Sequence, residues 1–136
     1  MVSLLIVSHS SKLAAGVKEF AEQVSGGKIK IATAGGADDG SLGTSVDRIK
    51  ENLKNIATPE GILVLIDIGG AALSVETAIE VVDLGKTRVE ISDAPLVEGT
   101  YLAAIEASAG STLDQTAKAA LEGRKMIKVH RQKDQD

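Results

Sequence analysis

The sequence predicts an α/β protein of the doubly wound kind, a three-layer sandwich with helices on both faces of a mainly parallel sheet of order 2-1-3-4, similar in outline to mononucleotide-binding sheets. Short β-rich runs alternate with longer segments whose apolar residues recur every three or four positions. The first and third of these runs are apolar almost throughout, as strands covered on both faces must be. The 136 residues include one phenylalanine, one tyrosine and no tryptophan, so the core must be built from Leu, Ile, Val and Ala, which suits helices laid closely on a sheet.

The first strand is Val2 to Val7. Leu13, Ala14, Val17, Phe20, Ala21 and Val24 then share one helical face, and Gly26-Gly27 ends that helix. Lys28 to Thr33 is the second strand, where Ile29 and Ile31 alternate with lysines in the manner of a sheet edge. A glycine-rich loop from Ala34 to Gly43 leads to a helix capped by Thr44 or Ser45, with Val46, Ile49, Leu53 and Ile56 inward and Thr58-Pro59 as its stop. Ile62 to Ile66, the most apolar run, is the central third strand. A helix follows Asp67-Ile68-Gly69-Gly70 and continues to about Val82, with Ala72, Val75, Ile79 and Val82 inward. Thr87 to Ile91 is the fourth strand. Pro95 suits the first turn of a helix reaching about Ala109, and a last helix spans about Leu113 to Leu121. Met126 to Val129 is expected as a short fifth strand. One domain, residues 1–129, is expected, followed by a polar tail from His130 to Asp136.

Composition excludes several classes. With 15 Lys+Arg against 19 Asp+Glu and almost no rings to stack bases, the chain does not fit a nucleic-acid binder. Its longest apolar stretch, Gly61 to Ile68, is broken by Asp67 and is far shorter than the roughly 20 residues of a membrane helix. The start MVSLLIVSHSSK lacks the basic segment of a signal peptide, so a cytoplasmic location is expected. The absence of cysteine removes thiol catalysis and thiolate metal sites. No His/Glu pair has metal-ligand spacing and no Gly-x-Ser-x-Gly elbow occurs.

In a sheet of order 2-1-3-4 the topological switch lies between strands one and three, and ligands bind where those strands end. Ser8-His9-Ser10 leaves one of them and Asp67-Ile68-Gly69-Gly70 the other. His9 is therefore the first candidate. Ser8, Ser10 and Ser11 add hydroxyls and backbone N–H groups at a helix start, which together make an anion site; the alternative is a capping histidine. Asp67, next to His9 in this order, would accept a hydrogen bond from one imidazole nitrogen, leave the other as nucleophile and stabilise a cationic phosphoimidazole. The alternative for Asp67 is a cap on the helix that follows, and both roles are compatible. Glycines in the loop Gly35 to Ser45 allow N–H groups to converge on an oxyanion, although such loops often only turn the chain. Asp38 and Asp39 would repel a free nucleotide and attract the basic face of a protein donor. His130 reads as solvated.

Taken together, Val7-Ser8-His9-Ser10, Gly35-Gly36-Ala37-Asp38-Asp39-Gly40 with Leu42-Gly43-Thr44-Ser45, Asp67-Ile68-Gly69-Gly70-Ala71 and Ala94-Pro95-Leu96-Val97-Glu98-Gly99 resemble the DhaM family. These are the phosphotransferase subunits of phosphoenolpyruvate-dependent dihydroxyacetone kinases, and they are similar to the IIA domains of mannose-class sugar phosphotransferase systems. The resemblance implies that His9 accepts a phosphoryl group from phospho-HPr, charged by enzyme I, and that the group passes to ADP held on the DhaL subunit. The ATP so formed would phosphorylate dihydroxyacetone bound to DhaK. It further implies that Ser10, Gly36, Asp39, Gly40, Gly69 and Gly70 surround the phosphoryl group, that the chain itself binds no cofactor or metal, and that it is a homodimer. HPr and enzyme I are expected as separate proteins. Ala37 and Gly70 depart from the pattern, in which a hydroxyl residue and a serine are expected, so backbone N–H groups carry more of the phosphoryl contacts. The alternatives are a IIA domain donating to a IIB protein and a regulatory module controlled by phosphorylation of His9.

Overall fold

The computed structural model describes residues 1–130. Four parallel strands, β1 (Ser3–Ser8), β2 (Ile31–Gly35), β3 (Ile62–Ile66) and β4 (Val89–Ile91), form a sheet of order β2-β1-β3-β4, the order expected from the sequence. Every residue of β1 is buried, because helices cover it from both sides. On one face Leu4, Ile6, Leu63 and Leu65 pack against α1 (Ser11–Ser25), α4 (Leu96–Ser108) and α5 (Leu113–Leu121). On the other, Leu5, Val7, Ile62 and Val64 pack against α2 (Val46–Ile56) and α3 (Gly70–Val81). The period-two alternation of the strands thus feeds two separate aliphatic cores.

The helices start and stop for local reasons. Ser10 and Ser45 cap α1 and α2 by accepting from the N–H groups of Leu13 and Arg48, and α5 opens on a full capping box of Thr112 and Gln115. Gly26, with φ 63°, closes α1 in the left-handed region.

Three expectations are corrected. No fifth strand exists among the described residues: Glu122–Lys125 forms a 3-10 turn that carries the chain along the start of α4, where a methyl on Gly123 would lie 3.1 Å from Glu98 Cβ. The expected tail falls mostly at 131–136, outside the described residues; His130 is exposed. The inward face of α3 is Ala71, Val75 and Ala78, one residue away from the expected stripe, so that small alanines meet the sheet. Leu13 and Phe20 are exposed; Phe20 packs edge-on against Tyr101 instead, with ring centroids 5.6 Å apart.

The end of β2 lies tight against the start of α1. A Cβ on Gly35 would come within 2.7 Å of Ser11 Cα and 2.9 Å of the Ser10 carbonyl, backbone atoms that cannot swing aside. Gly35→Ala is therefore expected to lower stability by about 1–3 kcal/mol through overpacking, visible as a lower urea midpoint at unchanged slope. Gly16→Ala on the exposed side of α1, where nothing lies within 4 Å, should instead stabilise by about 0.5–1 kcal/mol.

Candidate active site

Parallel pairing sets Val7 of β1 opposite Ile66 of β3, so the next residues on the two strands, His9 and Asp67, emerge from the sheet beside one another. The Asp67 carboxylate accepts four kinds of donor. Its Oδ2 takes the His9 N–H and the Ser8 hydroxyl, both at 2.9 Å. Its Oδ1 takes the Ile68 N–H at 2.7 Å and lies 3.0 Å from Nδ1 of the His9 ring. The Asp67 side chain is 13% exposed and that of His9 32%, so the carboxylate forms the floor and the imidazole the accessible surface.

Burial alone would raise the Asp67 pKa. The N–H donors of His9 and Ile68, followed by the His9 ring and the Ser8 hydroxyl, outweigh it and hold the carboxyl below its ordinary value of 3.8. An acid with a depressed folded pKa adds stability above its unfolded pKa and loses it as the pH falls through the folded value. In urea titrations, the loss of stability below about pH 4 is expected to be shallower in Asp67→Asn than in the wild type.

An ionised carboxylate only accepts hydrogen bonds, so Nδ1 carries the ring proton and Nε2 keeps its lone pair. Nε2 faces the first turn of α3: a methyl on Gly70 would stand 3.5 Å from Nε2 and 3.8 Å from Cε1. At that helix start Ala71 and Ala72 donate to the carbonyls of Ile68 and Gly69 at 3.0 Å each, while the N–H groups of Gly69 and Gly70 have no acceptor among the described residues. α1 begins directly after Ser10. There Leu13 and Ala14 donate to Ser10, which leaves the N–H groups of Ser11 and Lys12 open. Two helix N-termini thus bring donors and positive dipole ends to the His9 side of the sheet.

The structure brings together His9, Asp67 and Gly70 and commits the other expected phosphoryl contacts elsewhere. The Ser10 hydroxyl caps α1, and its N–H donates to Ser8 Oγ at 3.0 Å. The Gly36 N–H donates to the Ser8 carbonyl at 3.1 Å and that of Gly40 to the Ala37 carbonyl at 3.0 Å. Asp39 is turned into its own loop, where it accepts from the Ser41 hydroxyl at 2.5 Å and the Ser41 N–H at 3.0 Å; these bonds, the hydroxyl first, lower its pKa. Asp38 is held by the Ser45 hydroxyl. The loop therefore closes on itself, with Gly36 at φ 82° and Gly40 at φ 85° supplying its turns. Asp67 makes no cap on α3, whose N-cap Gly69 has no side-chain bond.

Two residues that the sequence reading left without these roles complete the arrangement. Ser8 bridges Asp67 and the Ser10 N–H through one hydroxyl, and Gly43 donates its N–H to the His9 carbonyl at 2.9 Å, fixing the histidine main chain from the loop side. A polar residue at the end of an otherwise apolar strand was a usable signal for Ser8. Nothing in the sequence marks the Gly43 bond. Among the described residues no cluster of His, Asp and Glu could hold a metal ion, and no helix is long and apolar enough to cross a membrane.

A doubly wound sheet carrying an aspartate-bound histidine at its switch point defines a phosphotransferase-system IIA domain of the mannose type. Residues 3–117 match the family described as the PTS system fructose IIA component, EIIA-man, and the chain belongs to that family. Within it the chain groups with DhaM subunits. It is 42% identical over 109 residues to the phosphoryl donor subunit DhaM of PEP-dependent dihydroxyacetone kinase 2 from Listeria innocua, covering 78% of this chain and 86% of that one. The DhaM subunits of Klebsiella michiganensis and Escherichia coli are 41% and 40% identical over 89% and 92% of this chain. The chain spans only 26% and 28% of the length of those two relatives. Among solved structures, a crystal structure of a protein of unknown function superposes with TM-score 0.71 at 35% identity, covering 88% of this chain and 92% of that one. The EIIA component from Streptococcus agalactiae shares the fold, with TM-score 0.68 at 17% identity over 93% of this chain and 96% of that one.

Proposed function

We propose that the chain is the phosphoryl carrier subunit of a PEP-dependent dihydroxyacetone kinase, with Nε2 of His9 as the carrier atom. The observation that supports this most is the Asp67 carboxylate, which holds the proton on Nδ1 and leaves Nε2 open at the start of α3. A phosphoryl group arrives on an imidazole of phospho-HPr. The Nε2 lone pair forms a P–N bond as the donor's P–N bond breaks, and the donor nitrogen keeps the electron pair. The donor imidazolium becomes a neutral imidazole while His9 becomes an imidazolium, so no proton changes hands, and Asp67 stabilises the new cation. In the second step a terminal phosphate oxygen of ADP bound to DhaL forms the new P–O bond. The P–Nε2 bond breaks, its electrons return to Nε2, and the ATP serves dihydroxyacetone bound to DhaK. ADP is the partner's ligand, and this chain contributes no cofactor or metal. On this reading it acts as a homodimer in the cytoplasm, beside HPr and enzyme I.

Incubation with phosphoenolpyruvate, enzyme I and HPr should add one acid-labile phosphoryl group by intact mass, discharged as ATP on addition of DhaL and ADP. Failure to label overturns the reading. Discharge by a IIB protein and not by DhaL with ADP would favour the sugar-transport alternative, which the EIIA-man match also fits.

A further inference from the structure

Most glycines near the site have a steric reason to be glycine. Gly36, Gly40 and Gly43 adopt positive φ, and a side chain on Gly35 would strike backbone. Gly69 and Gly70 have no such reason. Neither has a positive φ; a Cβ on Gly69 would meet nothing within 4 Å, and a Cβ on Gly70 would meet only Nε2 and Cε1 of His9. Glycine is a poorer helix former than alanine, so at the first position of α3 it disfavours the fold with no compensating contact in the fold. Immediately before and after the pair in sequence, Ile68 and Leu73 leave large apolar side chains 63% and 69% exposed.

We infer that the Gly69-Gly70 backbone is the opening through which partner proteins reach Nε2, and that Gly70 is the specificity-determining position that keeps it clear. The inference rests on His9 as the carrier. In-line transfer requires the donor nitrogen, the phosphorus and Nε2 to align with the reacting atoms about 3–3.5 Å apart. A protein donor carries an imidazole and its surrounding surface behind the phosphorus, and these must come down over the start of α3, against Ile68 and Leu73. Phosphoramidate carries only an amino group, which leaves as ammonia when the phosphorus bonds Nε2. A branched side chain at position 70 would therefore stand in the way of the protein and not of the small donor.

The test compares the full-length wild type with Gly70→Ala and Gly70→Val, measuring the rate of His9 labelling by phospho-HPr and by phosphoramidate, together with the thermal midpoint. The midpoints should equal or exceed that of the wild type, since both residues form helix better than glycine. Gly70→Val should slow labelling by phospho-HPr about 100-fold while changing the phosphoramidate rate by less than about threefold. Gly70→Ala should show the same ordering with smaller amplitude, and it carries the test if the valine variant melts early. Equal losses with both donors overturn the inference, because the glycine would then be serving the phosphoryl group itself. Unchanged rates with phospho-HPr also overturn it. A wild type labelled by neither donor overturns the carrier reading, and the inference with it.

Discussion

His9→Gln is expected to abolish phosphoryl acceptance while leaving the protein folded. Glutamine replaces the imidazole with an amide whose nitrogen lone pair is delocalised, so no nucleophile remains at the start of α3. The fold has little to lose. Asp67 keeps the Ser8 hydroxyl, the Ile68 N–H and the main-chain N–H of residue 9 as donors, and the imidazole is a partly exposed surface group. Intact mass after incubation with phosphoenolpyruvate, enzyme I and HPr should show no added phosphoryl group, with the thermal midpoint within about 5 °C of the wild type. His130→Gln, altering an exposed residue beyond the last turn, should label as the wild type does. Persistent acid-labile labelling of His9→Gln would place the carrier on another residue and sink the assignment.

Asp67→Asn is expected to slow transfer severely without preventing it. The carboxylate presents two oxygens to four donors; asparagine has one acceptor oxygen and an NH2 group that donates. If that oxygen stays with the main-chain donors, the NH2 group turns toward Nδ1 and drives the ring proton to Nε2. The nucleophilic lone pair is then lost in the dominant tautomer. The imidazolium formed on phosphorylation also loses its counter-charge. By analogy with loss of the orienting carboxylate in a catalytic triad, rapid-quench labelling by phospho-HPr should slow by about 10²–10⁴. Labelling should still reach completion at long times, because Nε2 remains in place. Unchanged rates toward both HPr and DhaL would remove Asp67 from the chemistry.

The central strands were legible because burial on both faces leaves an unbroken aliphatic run, and from their order the meeting of His9 and Asp67 followed. Boundaries were less legible where tertiary contacts decide them. β2 continues through Gly35, beyond the expected Thr33, because a residue without a side chain can pass beside α1. Periodicity placed Leu13 and Phe20 inside, yet the alanines of α4 bring that helix so close to Ala14, Val17 and Ala21 that the longer side chains are left at the surface. The alternation in Met126–Val129 reads as a strand, but the turn at Glu122–Lys125 leads the segment away from the sheet. In the site, side chains that carry chemistry were visible in the sequence. The commitments of the Gly36, Gly40 and Gly43 N–H groups were not, because main-chain bonds between distant residues leave no pattern of residue types.

Those commitments bear on the thermodynamics of a relay. Since the loop after β2 satisfies most of its own donors, a phosphoryl group on Nε2 would be met chiefly by the few open amides where α1 and α3 begin. A richly coordinated phosphohistidine would lie in a deep well and hold its cargo. A sparsely coordinated one keeps a high transfer potential, close to that of the phosphoimidazole that supplied it. Exchange between two such imidazoles then runs near equilibrium, and the direction of flow is set by the ratio of charged donor to empty acceptor.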